Sequence, residues 1–156
     1  MRIGQGVDVH AFSEDPARSL ILGGVVIPGE PGLAGHSDAD VACHAIIDAL
    51  LGAASLGDLG RHFSSDDPAL EGVSSLILLD KTVELLDEHG WVAVSIDVTI
   101  VAQRPRLASH LDAMAVVLTE RTVTPVSVKA TTTDHLGFIG RGEGIAALSC
   151  ALIEER

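Results

Sequence analysis

Ile145-Ala-Ala-Leu-Ser-Cys-Ala-Leu-Ile153 is predicted to form a β-strand with apolar or small side chains at every position. Successive residues of a strand point to opposite faces of its sheet, so this strand is apolar on both faces. The helices of a chain this short can cover one face of a sheet but hardly both. We therefore predict an α/β (α+β) fold with helices packed on one face, in an oligomer of identical chains whose sheets face inward.

The remaining elements follow from hydrophobic periodicity and turn signals. Alternation predicts strands at 3–12, 92–102 and 126–129, two β-rich runs around Gly23-Gly24 predict a hairpin, and helical spacing predicts helices at about 37–55, 75–89 and 109–121. Ser37 with Asp40 resembles a capping box for the first helix. Residues 28–35 and 56–68 are predicted loops. Since no repeat or linker divides the chain, we expect residues 1–156 to form one domain.

The composition excludes several classes of function. The formal charge of −12 opposes binding to the phosphate backbone of nucleic acid, although bound cations could admit a small phosphorylated substrate. The sequence shows no signal-peptide pattern and no apolar run of membrane-spanning length. Cys43 and Cys150 are too few for a disulfide framework and indicate buried thiols in a reducing compartment. We expect a cytoplasmic protein that binds neither nucleic acid nor membrane.

Asp8 and His10 on the first strand, and His44 on the first helix, form a candidate metal site. Residues two apart on a strand share one face, so Asp8 and His10 can contribute to one ligand sphere. Two imidazoles and a carboxylate leave a fourth position open, as in catalytic zinc sites, and manganese or cobalt could also bind. Asp48 is the expected acceptor for the second ring N–H of His44. The alternative is that both histidines are only structural.

Two further segments carry groups that suit phosphate. His36 and Ser37 precede the first helix, whose free N–H groups and dipole favour an anion, unless Ser37 is only a cap. Residues 129–134, Lys-Ala-Thr-Thr-Thr-Asp, offer a cation, three hydroxyls and a carboxylate for phosphate oxygens and a partly hydrated magnesium ion. A threonine-rich strand alone would not account for Lys129 or Asp134.

The glycine-rich residues 137–144 are predicted to form a tight turn that presents Arg141 and Glu143 to another subunit. They lack the Lys-Ser/Thr pair of a P-loop and the strand-to-helix context of a dinucleotide fingerprint, so we reject both of these functions. The chain also has no Ser-His-Asp or Cys-His signature of a covalent nucleophile.

Seven motifs, spread from near the N-terminus almost to the C-terminus, carry a resemblance to one enzyme family. They are Gly4-x-Gly-x-Asp-Val-His10, Ile21-Leu-Gly-Gly24, Gly35-His-Ser-Asp-x-Asp40, Asp48-Ala-Leu-Leu-Gly-Ala53, Leu56-Gly-Asp-x-Gly60, Lys129-Ala-Thr-Thr-Thr133 and Gly137-Phe-x-Gly-Arg-Gly-Glu-Gly144. In this order they resemble the 2-C-methyl-D-erythritol 2,4-cyclodiphosphate synthases, the cyclases of the non-mevalonate isoprenoid pathway.

The resemblance implies a homotrimer with active sites between neighbouring subunits. It also implies that the 2-phosphate of a cytidine diphosphate-linked methylerythritol attacks the β-phosphorus of the same molecule, forming a cyclic diphosphate and releasing CMP. Asp8, His10 and His44 would hold zinc, or manganese or cobalt. Asp134 would hold magnesium or manganese at the substrate diphosphate.

The same resemblance implies roles for the remaining site residues. His36 and Thr132 would stabilise the transition state, while Phe138 and Arg141 would complete the substrate contacts near the trimer axis. The residues expected to hold the erythritol phosphate, cytidine and diphosphate are Ser37, Asp58, Gly60, Ala102, Arg106, Thr131, Thr132, Thr133 and Asp134, with Asp8, His10 and His36 also contacting substrate.

Several positions depart from the family pattern, among them Gln5 and Leu76. Asp134 stands where Glu is more frequent, and Ser64-Ser65 replaces a usual Pro-Asp in the substrate loop. Two rival functions are a small zinc phosphoester hydrolase and a non-enzymatic trimeric metal-storage or scaffold protein. The hydrolase needs a general base beside the metal, for which Asp40 and Asp58 are the only candidates.

Overall fold

The computed structural model describes all of residues 1–156. Its strands are β1 (Arg2–Ala11), β2 (Ser19–Leu22), β3 (Val25–Pro31), β4 (Trp91–Val101), β5 (Val126–Thr131) and β6 (Gly144–Glu155). Its α-helices are α1 (Val41–Ala54), α2 (Leu59–His62), α3 (Ser75–Glu88), α4 (Leu111–Thr122) and α5 (Gly137–Gly140), and Pro68–Leu70 forms a 3₁₀ turn. No helix is both long and apolar enough to span a bilayer.

Four strands form the main sheet in the order β1-β6-β4-β5, and β2 and β3 form a separate hairpin. β6 is antiparallel to both of its neighbours and β5 is parallel to β4, so β1, β4 and β5 run in the same direction. The carboxyl ends of these three strands therefore lie at one end of the sheet. β1 and β5 form its two opposite edges.

The helices cover one face of the sheet, as predicted from β6. Residues of β6 that point towards α1, such as Ala147 and Ile153, are completely buried, whereas Leu148 on the other face is 39% exposed. On the adjacent edge strand, Val7 and Val9 are also exposed, at 52% and 46%. The main sheet therefore presents an apolar face that this chain does not cover.

Helix α1 lies unusually close to β1. A Cβ atom at Gly4 would be 2.0 Å from the carbonyl oxygen of Ala49, and one at Gly6 would be 2.0 Å from that of Ala45. Only glycine fits between strand and helix at such distances. Because the hairpin, α3 and the sheet enclose the rest of the helix, all residues of α1 except Asp48 and Gly52 are buried.

Helix α1 begins at Asp40 and not at Ser37, so the predicted capping box is wrong. The Asp40 carboxylate is completely buried and accepts hydrogen bonds from the backbone N–H groups of Ala42 and Cys43. It also accepts from the N–H groups of Gly23 and Gly24, at 2.9 and 2.7 Å. Asp40 has this second role because its two oxygens can serve the helix and the hairpin turn together.

The glycine pair at the hairpin turn adopts left-handed conformations, with φ of 56° and 75°, as a tight two-residue turn requires. Three predicted loops contain more regular structure than expected. β3 extends into residues 28–35 as far as Pro31, residues 56–68 include α2, and residues 137–144 begin with the helical turn α5. Four-residue helices lack the periodicity that reveals longer ones.

Gly6→Ala tests the close approach of β1 and α1. The new Cβ would meet the backbone of α1, which cannot move aside like a side chain, so the unfolding free energy should fall by on the order of 3 kcal/mol. Gly52→Ala is the matched control. Its Cβ would meet no atom within 4 Å, and alanine should stabilise this exposed helical position by about 0.5–1 kcal/mol. Urea unfolding curves measure the unfolding free energy of each variant. Equal changes for Gly6→Ala and Gly52→Ala would contradict the close contact between β1 and α1.

Candidate metal centre

Three potential metal ligands lie close together, just beyond Gly4 and Gly6 of β1. Asp8 and His10 continue the helix-facing side of the strand, and His44 projects from the first turns of α1. Asp8 Oδ2 lies 3.1 Å from His10 Nε2 and 3.0 Å from His44 Nδ1. One donor atom from each residue lies within 4.8 Å of the others, so the three could hold a metal ion. The predicted ligand set is brought together.

Hydrogen bonds on the far sides of the rings orient both imidazoles. His10 Nδ1–H donates to the carbonyl of Ala34 at 2.5 Å, which leaves Nε2 for a metal. His44 Nε2 lies 2.9 Å from Ser75 Oγ. Asp48 does not contact His44, contrary to the sequence prediction, because its carboxylate accepts from the N–H of Leu59 at 2.7 Å. Asp48 therefore binds the start of α2 and does not have the predicted role of orienting His44.

The three ligands are partly shielded from solvent, with side-chain exposures of 24% for Asp8, 22% for His10 and 9% for His44. Burial by itself raises the pKa of Asp8, but its hydrogen bonds with His10 and His44 and their charges lower the pKa by more, so the net pKa lies well below the usual range. The hydrogen bond to Asp8 raises the pKa of His10. The Asp8 carboxylate thus remains charged and draws a positive charge into the cluster, which is the electrostatic requirement for a cation site.

The cluster opens into a cavity of about 160 Å³. Its lining also includes His36 and Ser37, together with apolar groups from α2 and the loop that follows. His36 Nε2–H donates to the carbonyl of Asp67 at 2.9 Å, which ties the residue to that loop. His36 and Ser37 were predicted at the N-terminus of the first helix, but they lie in the loop before α1, beside the three ligands. A small anionic group could enter here and reach the open side of the ligand set.

A second cavity, of about 380 Å³, lies between the loop after β4 and the end of β5. Ala102, Arg106, Thr131 and Thr132 are among its lining residues. Because β5 and β1 are opposite edges of a four-stranded sheet, this cavity and the metal cluster are separated by three strand spacings, roughly 14 Å. A single chain therefore holds the two groups of predicted site residues apart.

The remaining predicted site residues line neither cavity. Asp58 accepts from the N–H of Arg61 and caps α2, in which Gly60 lies, and Thr133 and Asp134 follow β5. Asp134 adopts a left-handed conformation, with φ of 51°. Phe138 and Arg141 are exposed, and Arg141 Nε forms an ion pair with Glu143 at 2.6 Å.

Lys129 pairs with Asp97 on the neighbouring strand β4, so its ammonium group already has an anionic partner. Asp134 has only local contacts, to the hydroxyl of Thr132 at 3.2–3.3 Å. A single exposed carboxylate is how proteins commonly hold magnesium when phosphates and water complete the shell. Asp134 therefore fits a magnesium ion that is also bound by a diphosphate. By itself, this carboxylate does not form a complete cation site.

Sequence reasoning missed Asp38 and Ser75. Ser75 Oγ contacts both His44 Nε2 and the Asp38 carboxylate, although 31 residues separate it from His44. Its only signal in the sequence is the Ser74-Ser75 pair at a helix start, which ordinarily indicates capping. Contacts between residues so far apart are not encoded in local periodicity.

Comparison with known proteins gives a consistent result. Residues 1–154 match the model of the YgbB family. A 2-C-methyl-D-erythritol 2,4-cyclodiphosphate synthase from Syntrophobacter fumaroxidans is 55% identical over 156 residues, which cover 98% of this chain and 97% of the relative.

Two solved structures share the fold. The bifunctional IspDF from Campylobacter jejuni matches with a TM-score of 0.94 at 39% identity, over 99% of this chain and 42% of that longer one. The CDP complex of IspF from Plasmodium falciparum matches with a TM-score of 0.85 at 28% identity, over 99% of this chain and 96% of that one. The similarity thus includes a protein that binds a cytidine nucleotide.

His44→Ala should abolish zinc binding, because Asp8 and His10 alone would leave a two-ligand site. His89→Ala, at the exposed end of α3, is the matched control and should retain full zinc stoichiometry. Metal analysis of purified protein after dialysis measures both, with circular dichroism to verify folding. Full zinc content in a folded His44→Ala variant would refute the ligand assignment.

Proposed function

This chain belongs to the YgbB family, and from that premise we propose that Asp8, His10 and His44 hold the metal ion of a cyclase. The enzyme is a phosphorus–oxygen lyase of the non-mevalonate isoprenoid pathway that forms 2-C-methyl-D-erythritol 2,4-cyclodiphosphate. Its substrate is 4-diphosphocytidyl-2-C-methyl-D-erythritol 2-phosphate. The observation that carries the assignment is the three-donor cluster, whose open side faces a cavity lined by His36 and Ser37.

The reaction forms one phosphorus–oxygen bond and breaks another. An oxygen of the 2-phosphate attacks the β-phosphorus, and the bond from the β-phosphorus to the bridging oxygen breaks, so CMP leaves with that oxygen. Since this attack brings anions together, the site must neutralise charge and align the two phosphates. Zinc, or manganese or cobalt, at the cluster and magnesium or manganese at Asp134 would supply that charge neutralisation when bound.

Residues of this chain would position the substrate. His36 and Thr132 would stabilise charge that develops at the β-phosphate, and Ser37, Asp58 and Gly60 would hold the erythritol phosphate. In support, His36 and Ser37 line the cavity beside the cluster. The residues proposed for the cytidine and diphosphate are Ala102, Arg106, Thr131, Thr132, Thr133 and Asp134, with Phe138 and Arg141 completing the contacts.

A homotrimer would unite the two groups of site residues. In one chain, the metal cluster and Thr132 lie at opposite edges of the sheet but at the same end of it. Rotation about a threefold axis can bring the β1 edge of one subunit beside the β5 edge of its neighbour. The uncovered apolar face, which includes Ile3, Val7 and Leu148, also needs a partner surface. We propose that residues 1–156 act as one domain of this trimer.

The hydrolase alternative has neither of its two candidate carboxylates in place as a general base. Asp40 is completely buried and bound to helix and hairpin N–H groups, and Asp58 caps α2. Neither carboxylate lines the cavity beside the metal cluster.

A cytoplasmic location agrees with two free thiols, Cys43 and Cys150. Cys43 is buried as predicted, whereas Cys150 is exposed in the single chain, contrary to the prediction.

Phosphorus NMR tests the reaction directly. With zinc, magnesium and the cytidine diphosphate-linked methylerythritol 2-phosphate, the protein should produce a cyclic diphosphate and CMP in equal amounts. Inorganic phosphate as the product would support the hydrolase instead. An unchanged spectrum with metal bound would refute catalysis of either kind.

Mixing two inactive variants tests whether sites are shared between subunits. His44→Ala removes a metal ligand and Asp134→Asn weakens the magnesium group, so each variant alone should be inactive. In randomly reassembled trimers, about a quarter of the sites would pair an intact cluster with an intact Asp134 from the neighbour. Activity should therefore return after the two variants are unfolded and refolded together. Each variant refolded alone is the control, and no recovery in the mixture would contradict a shared site.

A further inference from the structure

A chain of hydrogen bonds leads from His44 away from the metal cluster into the protein. His44 Nε2 lies 2.9 Å from the hydroxyl oxygen of Ser75, which is completely buried. The Ser75 hydroxyl in turn contacts the Asp38 carboxylate. The reaction proposed above assigns no role to Ser75 or Asp38.

The chemistry of these groups fixes the direction of the chain. A carboxylate can only accept, so the single hydroxyl proton of Ser75 is donated to Asp38. The oxygen of Ser75 then has only lone pairs left for His44, and the ring must carry its proton on Nε2. The other nearby hydroxyl, on Ser37, lies farther from Nε2, at 3.2 Å, and accepts from the N–H of Ala39; its second lone pair can accept from the same Nε2–H, so it is compatible with this tautomer.

Fixing the proton on Nε2 leaves a lone pair on Nδ1, the nitrogen that faces Asp8. Nδ1 and the Asp8 oxygen lie 3.0 Å apart, and two lone pairs at this distance repel unless a positive charge lies between them. A proton or a metal ion supplies that charge. The hydrogen-bond chain therefore presents Nδ1 of His44 as a metal ligand in the required tautomer.

Asp38 is held in place independently of His44. Its second oxygen accepts from the backbone N–H of Ser75 at 2.9 Å, and its own N–H donates to the carbonyl of Val73. Asp38 thus caps α3 from outside the helix, since Ser74, at the N-cap position, makes no side-chain capping bond. The start of α3 and the acceptor for the Ser75 hydroxyl are fixed together.

We infer that Ser75 and Asp38 are positioning residues that set the tautomer of His44 and thereby the affinity of the metal centre. The inference rests on the proposed metal role of Asp8, His10 and His44. His10 achieves the same result through a backbone carbonyl, that of Ala34, which substitution cannot remove. The Ser75–Asp38 pair, by contrast, consists of side chains and can be tested.

Ser75→Ala removes the hydroxyl but keeps the backbone N–H that donates to Asp38. Zinc affinity, measured by competition with a chromophoric chelator, should fall by about 10-fold or more, as is usual when a partner of a ligating histidine is lost. Ser74→Ala is the matched control. It removes a hydroxyl from the adjacent residue at the same helix start and should leave zinc affinity unchanged.

A spectroscopic readout separates positioning from general structural damage. In zinc-loaded protein with ¹⁵N-labelled histidine, His44 should bind zinc through Nδ1 and carry a proton on Nε2 that exchanges slowly with water. In Ser75→Ala this proton should exchange faster, while the His10 Nδ1–H should be unaffected. Asp38→Asn, which weakens the acceptor for the Ser75 hydroxyl, should lower zinc affinity at least as much as Ser75→Ala.

Three results would overturn the inference. One is zinc affinity in Ser75→Ala within twofold of that in Ser74→Ala, and another is coordination of zinc through Nε2 of His44. In both cases the wild type still binds zinc, so the proposed metal centre would stand without the positioning role. Absence of zinc binding in the wild type would instead remove the proposed metal centre and this inference together.

Discussion

The close contact between β1 and α1 is the constraint on which the site depends. Gly4 and Gly6 bring the helix backbone against the strand, at distances that exclude any side chain. Asp8 and His10 continue the same face of β1 just beyond the glycines, where His44 projects from the helix. Because the helix and the strand are already in contact, side chains on these two elements are close enough to form the ligand set, and no loop has to supply a ligand. Fold and metal geometry thus have one common cause.

Two carboxylates near the start of α1 connect the surrounding elements. Asp40 joins the helix to the β2–β3 turn, and Asp38 joins the loop before the helix to the start of α3. Burial raises the pKa of Asp40, which lies among backbone N–H donors. The buried Asp40 carboxylate is tolerated because each of its oxygens has hydrogen-bond partners, and both carboxylates fix the relative positions of their neighbours. His44 lies one turn after Asp40 and benefits from this rigidity.

The sequence predicted the sheet, its covered face and the meeting of Asp8, His10 and His44 in one candidate metal site, because these features depend on local hydrophobic pattern and spacing. The unbroken apolar run of β6 predicted a strand that is apolar on both faces, and the Asp8-x-His10 spacing placed two candidate ligands together. The true partners of His44 and Asp48 were not predictable, since Ser75 and Leu59 reach them through tertiary contacts. The cap at Asp40 was also missed, because Ser37 fits the same local pattern. The distance between the metal cluster at β1 and the second cavity at β5 could not be predicted, because it depends on the order of the strands in the sheet, which periodicity does not give.

The position of β1 at the edge of the sheet has a consequence for motion. His44 belongs to an enclosed helix, which should open only in global unfolding, whereas Asp8 and His10 belong to a strand paired on one side only in this chain. A metal ion bound by all three would link the slowest-opening element of the chain to one of its more mobile edges. Amide hydrogen exchange would then slow chiefly in β1 on metal binding. The ion would thus stabilise the edge strand against local opening, in addition to its role in the reaction.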